Sequence, residues 1–210
     1  MMESIENEIQ LLLTAVCAGI AGFRAVRSGS REWALLSFFA GAYFLGNLYW
    51  LLYLVFYGNT PEFALIPDLG WYSSLLFLLL LLVRVNEKTG AALPGSLWAV
   101  AAFPAAMCAF YMQWGQAFSN LVYAFLMTLL LRRAVGGLLS IFSIRKNPEG
   151  RSGREFYSAV LLFCGLEYGL WTSSCFWDST AAGGPYFWLD VLLSVSFLLF
   201  LPALRKAVEG

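Results

Sequence analysis

The chain has 210 residues, of which 60% are hydrophobic, 17% aromatic and only 12% charged, a composition far too apolar for a soluble domain of this size. Formal charge sums to zero, and the sequence carries no nucleic-acid signature. It also contains no histidine, which excludes Ser-His and Cys-His nucleophiles, histidine-ligated zinc, bis-histidine haem and histidine phosphotransfer.

A helix crosses the hydrocarbon with about 20 apolar residues, and charges or turn residues divide this chain into seven such segments. Met1 to Glu8 holds three glutamates and no Lys or Arg, so it lacks the basic region of a cleavable signal peptide and is expected to be retained. The predicted spans are Ile5 to Arg24, Trp33 to Phe56, Leu65 to Val83, Leu93 to Tyr111, Ala117 to Leu131, Phe156 to Phe176 and Pro185 to Leu204. The longest connection, Arg132 to Glu155, is too short for a soluble catalytic domain, so binding or chemistry falls to the bundle itself. Basic residues follow the first, third and fifth spans: Arg24, Arg27 and Arg31, then Arg84 and Lys88, then Arg132, Arg133, Arg145, Lys146, Arg151 and Arg154. The other connections hold none. Because positive loops stay in the cytoplasm, this alternation, with Arg205 and Lys206 in the tail, predicts the N-terminus outside and the C-terminus inside. Cys17, Cys108, Cys164 and Cys175 all lie in apolar stretches and read as buried free thiols, with Cys108 and Cys175 the one pair placed on a common side.

The chain also resembles itself. Arg27-Ser28-Gly29-Ser30-Arg31-Glu32-Trp33 recurs, with one residue deleted, as Arg151-Ser152-Gly153-Arg154-Glu155-Phe156. Arg24-Ala25-Val26 matches Arg133-Ala134-Val135 upstream; Gly46 and Gly169 lie 123 residues apart and Asp68 and Asp190 lie 122 apart, close to the 123 between Arg31 and Arg154. Spans one to three and five to seven therefore read as two copies of one unit (about 5–84 and 117–205), joined by a linker helix (about 93–111). An odd linker makes the copies parallel, with a site expected between them. This three-plus-one-plus-three plan is similar to that of small sugar transporters and of microbial rhodopsins. It lacks the Pro-Gln pair of the former, and because Lys88, Lys146 and Lys206 all fall in loops or the tail, it lacks the retinal lysine of the latter.

A few polar side chains fall inside the spans. Glu167 sits near the middle of the sixth, where a carboxyl group is costly enough to mark a functional position able to carry a proton, hold a cation or anchor a polar ligand; structural glue between helices is the alternative. Asn47 lies at similar depth in the second span. Asp68 and Asp190 lie near the starts of the third and seventh, where an acid complements the helix N-terminus; Asp190 is more than one turn inside and is the better site candidate of the two. Trp50 and Trp171 occupy nearly equivalent positions in the two copies and are expected to wall an outward-facing pocket. Trp71, Tyr72, Trp114, Trp177, Tyr186 and Trp188 read instead as an interfacial aromatic belt. Gly165 with Gly169, and Ala15, Ala18, Gly19 and Gly22 in the first span, read as small faces for close helix packing. Leu138 to Phe142 reads as an interfacial segment of the basic loop.

These readings combine into an all-α, multi-pass protein of the cell membrane, with seven helices forming one transmembrane domain. The expected ligand-binding residues are Glu167, Asp190, Asn47, Trp50, Trp171 and Asp68, with no catalytic residue, metal ligand or cofactor assigned. The leading function is a carrier or channel for a small polar or cationic solute. The rivals are a ligand-sensing receptor domain and an intramembrane lipid hydrolase using paired carboxylates. Expected partners are the lipid bilayer, that solute, a cytoplasmic protein at the 132–155 loop and a second copy of the chain in a homo-oligomer.

Overall fold

The computed structural model describes residues 2–58, 65–90, 99–143, 153–177 and 184–209. Among them are seven α-helices and no strand: α1 (Met2–Ser28), α2 (Arg31–Tyr57), α3 (Leu65–Thr89), α4 (Ala102–Tyr111), α5 (Ala117–Ser143), α6 (Arg154–Phe176) and α7 (Pro185–Glu209). Six of the seven, all but α4, are long and apolar enough to cross a membrane, as expected of a multi-pass membrane protein. The described apolar part of the fourth predicted span is only Ala99–Tyr111. Leu93 to Trp98 lies outside the described residues, as do Arg145, Lys146, Arg151 and Ser152.

The helix boundaries follow local chemistry. Between α1 and α2 the chain turns at Gly29, whose φ of 66° suits a residue without Cβ. Ser30 then caps α2, accepting a hydrogen bond from the Trp33 N–H at 3.4 Å while its hydroxyl donates to Glu32 at 2.7 Å. At the other end Gly58 adopts φ 71° and its N–H donates to the Leu54 carbonyl, closing the last turn.

The six long helices form a closed ring in the order α1, α2, α3, α5, α6, α7, while α4 packs outside the ring on α5. Alternating helix directions gather the basic residues at one end. There Lys88 at the end of α3 pairs with Glu32 at the start of α2, at 3.1 Å, and Lys206 near the end of α7 pairs with Glu155 at the start of α6, at 2.5 Å. The bundle inverts the arrangement of a soluble protein. Large apolar side chains such as Leu45, Val55, Phe125 and Leu192 face outward, whereas Glu6, Gln10, Asn47, Asp68, Glu167 and Asp190 are buried. Toward the basic end the middle of the ring is filled by Phe39, Phe163, Phe197 and Phe200, all fully buried. Phe39 stacks on Phe197 at 5.0 Å and meets Phe163 edge-on at 5.4 Å.

Two expectations change. Helix α5 does not stop at Leu131 but runs to Ser143, so Arg132, Arg133 and Leu138 to Ile141 belong to a helix, with Leu138 and Ile141 packed against the core. The helix tolerates Gly137 because the Tyr157 ring lies where a Cβ would project, making the glycine a packing site. The small-residue faces hold only in part: Gly22 and Gly169 do pack closely on Ser37 and Leu189, but Gly19 and Gly165 have open space beside them. The tightest crossing lies elsewhere, where α2 meets α3; a Cβ on Gly70 would stand 2.8 Å from the Gly46 Cα and 3.0 Å from the Ala42 carbonyl oxygen. All four cysteines are free, Cys108 and Cys175 included.

This crossing gives a direct check. Gly70→Ala is expected to lower the stability of the detergent-purified protein by about 1–3 kcal/mol through overpacking. Gly165→Ala, with open space beside it, is expected to leave stability unchanged or raise it by up to about 1 kcal/mol through helix propensity. Thermal unfolding of the two variants reads both, and a Gly70→Ala protein as stable as the parent would mean that the helices do not approach so closely.

Candidate functional site

Away from the basic end the ring opens around a cavity of about 300 Å³, within the lower range of ligand-sized pockets. Every side chain that the sequence marked as a binding candidate lines it: Asn47 and Trp50 from α2, Asp68 from α3, Glu167 and Trp171 from α6, and Asp190 from α7.

Glu167 lies at the floor, one helical turn above Phe163. One of its oxygens accepts a hydrogen bond from the Tyr43 hydroxyl at 2.9 Å and the other from the Tyr123 hydroxyl at 3.4 Å, so the carboxyl bridges α2 and α5. Tyr43 stands one turn above Phe39, which places this polar bridge directly on the aromatic packing below. Asp190 accepts from the Gln10 side chain at 2.5 Å, tying α7 to α1. Asp68 accepts from Ser119 at 2.7 Å and from Tyr72 at 3.2 Å, tying α3 to α5. Each acid therefore joins its helix to a neighbour in the ring. Among the described residues no Lys or Arg lines the cavity, and the donors to the three carboxyl groups are hydroxyl and amide groups.

Asn47 and Trp71 are set by the glycine crossing. The close approach of Gly46 and Gly70 brings the next residues of each helix together, and the Trp71 indole N–H donates to the Asn47 Oδ1 at 2.9 Å. That bond fixes the amide orientation, because only the oxygen can accept. Among the described residues the Asn47 Nδ2 has no hydrogen-bond partner, although Asn47 is only 3% exposed.

The chain matches no protein-family model, no curated protein and no solved structure.

Several lining residues were not marked in the sequence. Trp71, Tyr72 and Tyr186 were assigned to the belt but face the cavity, whereas Trp114, Trp177 and Trp188 are at least half exposed on the outer surface, where a belt would lie. Gln10, Tyr43 and Tyr123 drew no attention. A signal existed for Gln10, because Glu6, Gln10 and Thr14 form a polar line at i, i+4 spacing on an otherwise apolar helix, and all three are buried. Tyr43 stands in the same relation to Asn47. A tyrosine in an apolar run reads equally well as core or belt, so Tyr123 gave no comparable sign.

The buried bond between Gln10 and Asp190 can be measured. A double-mutant cycle with Gln10→Leu and Asp190→Leu is expected to return a coupling of about 0.5–2 kcal/mol, the range for polar pairs between membrane helices. Additive losses of stability would show that the two side chains do not meet.

Proposed function

We propose that this protein is a seven-spanning carrier of the cell membrane, with its N-terminus outside, that takes a small polar or cationic solute into a cavity between two parallel three-helix repeats. The observation that carries the reading is the cavity itself: Glu167, Asp190 and Asp68 line one space, and no basic side chain is among its described lining residues. A positively charged or strongly hydrogen-bonding solute supplies what such a space lacks.

The topology has support from chain direction. Helix α3 ends beside Glu32 and Tyr157 at the basic end, whereas α5 begins beside Asp68 at the opposite end. That placement of the two helix ends supports a seventh crossing between them, and with it termini on opposite sides. With the basic end in the cytoplasm, the cavity faces out.

The repeat has support from matched bonds. Asp68 on α3 is held by Ser119 on α5, and Asp190 on α7 by Gln10 on α1. Ser119 follows Gln10 by 109 residues, the separation of Arg133 from Arg24 in the sequence match. The ring order is also unchanged when α1, α2 and α3 are exchanged for α5, α6 and α7. At the basic end, Glu32 and Glu155 occupy equivalent positions and each pairs with a lysine near the end of the following helix of its own repeat.

A carrier is favoured over a channel because the buried phenylalanines close the ring below Glu167, leaving a pocket rather than a pore. Alternating access would then require that packing to separate as the repeats rock. The receptor reading relied on the segment 132–155 as an output loop, and residues 132–143 are helix, which leaves it with less support. The hydrolase reading gains nothing from carboxyl groups already engaged by Tyr and Gln donors.

Two measurements test the proposal. Reporters fused after Glu155 or Gly210 should read cytoplasmic, and reporters near Asn59 or Thr180, both outside the described residues, should read external; a cytoplasmic reading at Asn59 would overturn the orientation. Uptake into proteoliposomes should fall at least about tenfold and lose its pH dependence in Glu167→Gln, which keeps the shape and loses the proton. Full uptake by Glu167→Gln, with Glu167→Leu merely less stable, would reduce Glu167 to structural glue.

A further inference from the structure

We infer that the cavity selects an organic ammonium ion that also carries a hydrogen-bond acceptor. The inference rests on the proposed solute site and names its ligand class, from three features of the walls.

The first is charge. Glu167, Asp190 and Asp68 face the cavity from α6, α7 and α3, and among the described residues no Lys or Arg lines it, so an anionic solute would enter without a counter-charge while a cation would meet three carboxyl groups.

The second is surface. Much of the wall is ring rather than oxygen. Trp50 and Trp71 lie 6.0 Å apart on the α2–α3 side, and Tyr123 and Trp171 lie 5.7 Å apart on the α5–α6 side. Ring faces attract weakly hydrated cations such as alkylammonium groups, especially where water is excluded. A calcium ion instead asks for six to eight oxygen ligands and a magnesium ion for a near-ideal octahedron. Each half of the ring thus offers an aromatic pair and the floor offers carboxyl oxygens, an arrangement that suits a soft, bulky cation better than a small hard one.

The third is the orphaned donor. The Asn47 Nδ2 lies on a residue that lines the cavity and is 3% exposed, and it has no hydrogen-bond partner among the described residues, while the Trp71 bond prevents the amide from turning to satisfy it. A buried donor without an acceptor is costly. A ligand hydroxyl or carbonyl oxygen close to the ammonium group would relieve it.

Titration calorimetry on the purified full-length protein can separate these features with three probes: choline, tetramethylammonium, and 3,3-dimethylbutan-1-ol, the uncharged carbon analogue of choline. Choline should bind most tightly, tetramethylammonium roughly tenfold more weakly for want of the acceptor, and the neutral analogue at least tenfold more weakly than choline. Asn47→Leu should narrow the advantage of choline over tetramethylammonium from about tenfold to less than about threefold, whatever it does to both through Trp71, and an unchanged ratio overturns the acceptor. Equal binding of choline and its neutral analogue, or no saturable binding of either ammonium ion, overturns the inference.

A labelling experiment distinguishes that failure from failure of the solute site. With Leu170→Cys in a Cys175→Ser background, a trimethylammonium-ethyl methanethiosulfonate should react at least tenfold faster than the sulfonatoethyl reagent. Equal rates overturn the ammonium class alone. Reaction with neither reagent means that the cavity does not admit solutes, and the proposed function falls with the inference.

Discussion

A polar group surrounded by hydrocarbon must find its partner inside the protein, and most of this structure follows from that constraint. Glu167 meets it through Tyr43 and Tyr123, Asp190 through Gln10, and Asp68 through Ser119 and Tyr72. Each solution joins two helices, so the bonds that shelter the carboxyl groups also hold the ring together. Hydrophobic burial cannot do that work where lipid is as apolar as leucine. The outward faces are free to be featureless, and the specificity of the fold is concentrated on its inner surface.

That inner surface has two layers with opposite properties. Phenylalanine packing fills the ring toward the basic end, and hydroxyl, amide and carboxyl groups line the space above it. Tyr43 joins the layers, its ring 4.8 Å from Phe197 and its hydroxyl on Glu167. One side chain thus takes part both in the hydrogen bonding of Glu167 and in the packing that closes the pocket. Where α2 meets α3 the backbones are held close by Gly46 and Gly70, whereas Gly169 on α6 meets the side chain of Leu189 on α7.

Much of this was readable in the sequence because membrane burial makes polar residues conspicuous. Glu167, Asn47 and Asp190 stand out against apolar runs, and the cost of exposing them to lipid was enough to place them on the inside. Trp50 and Trp171 stood out through their matched positions in the sequence comparison of the chain with itself. Aromatic side chains with a polar tip resisted the same treatment, since Trp71, Tyr72 and Tyr186 would be equally well satisfied among lipid headgroups, and only their neighbours on other helices decide between the alternatives. Helix ends failed for a related reason. The arginine pair at 132–133 looked like the edge of the membrane, yet a helix continues past charges that can reach water along its flank. The glycine crossing was hidden because Gly70 alone carries no periodic mark, and close packing is a property of two helices at once.

The division of the tryptophans gives the protein a built-in optical probe. Trp50, Trp71 and Trp171 line the cavity, while Trp114, Trp177 and Trp188 lie on the outer surface. Quenchers carried on lipid chains would reach the second group and soluble quenchers small enough to enter the cavity would reach the first. The emission of the native chain, without any attached dye, thus contains separable signals from its interior and its boundary.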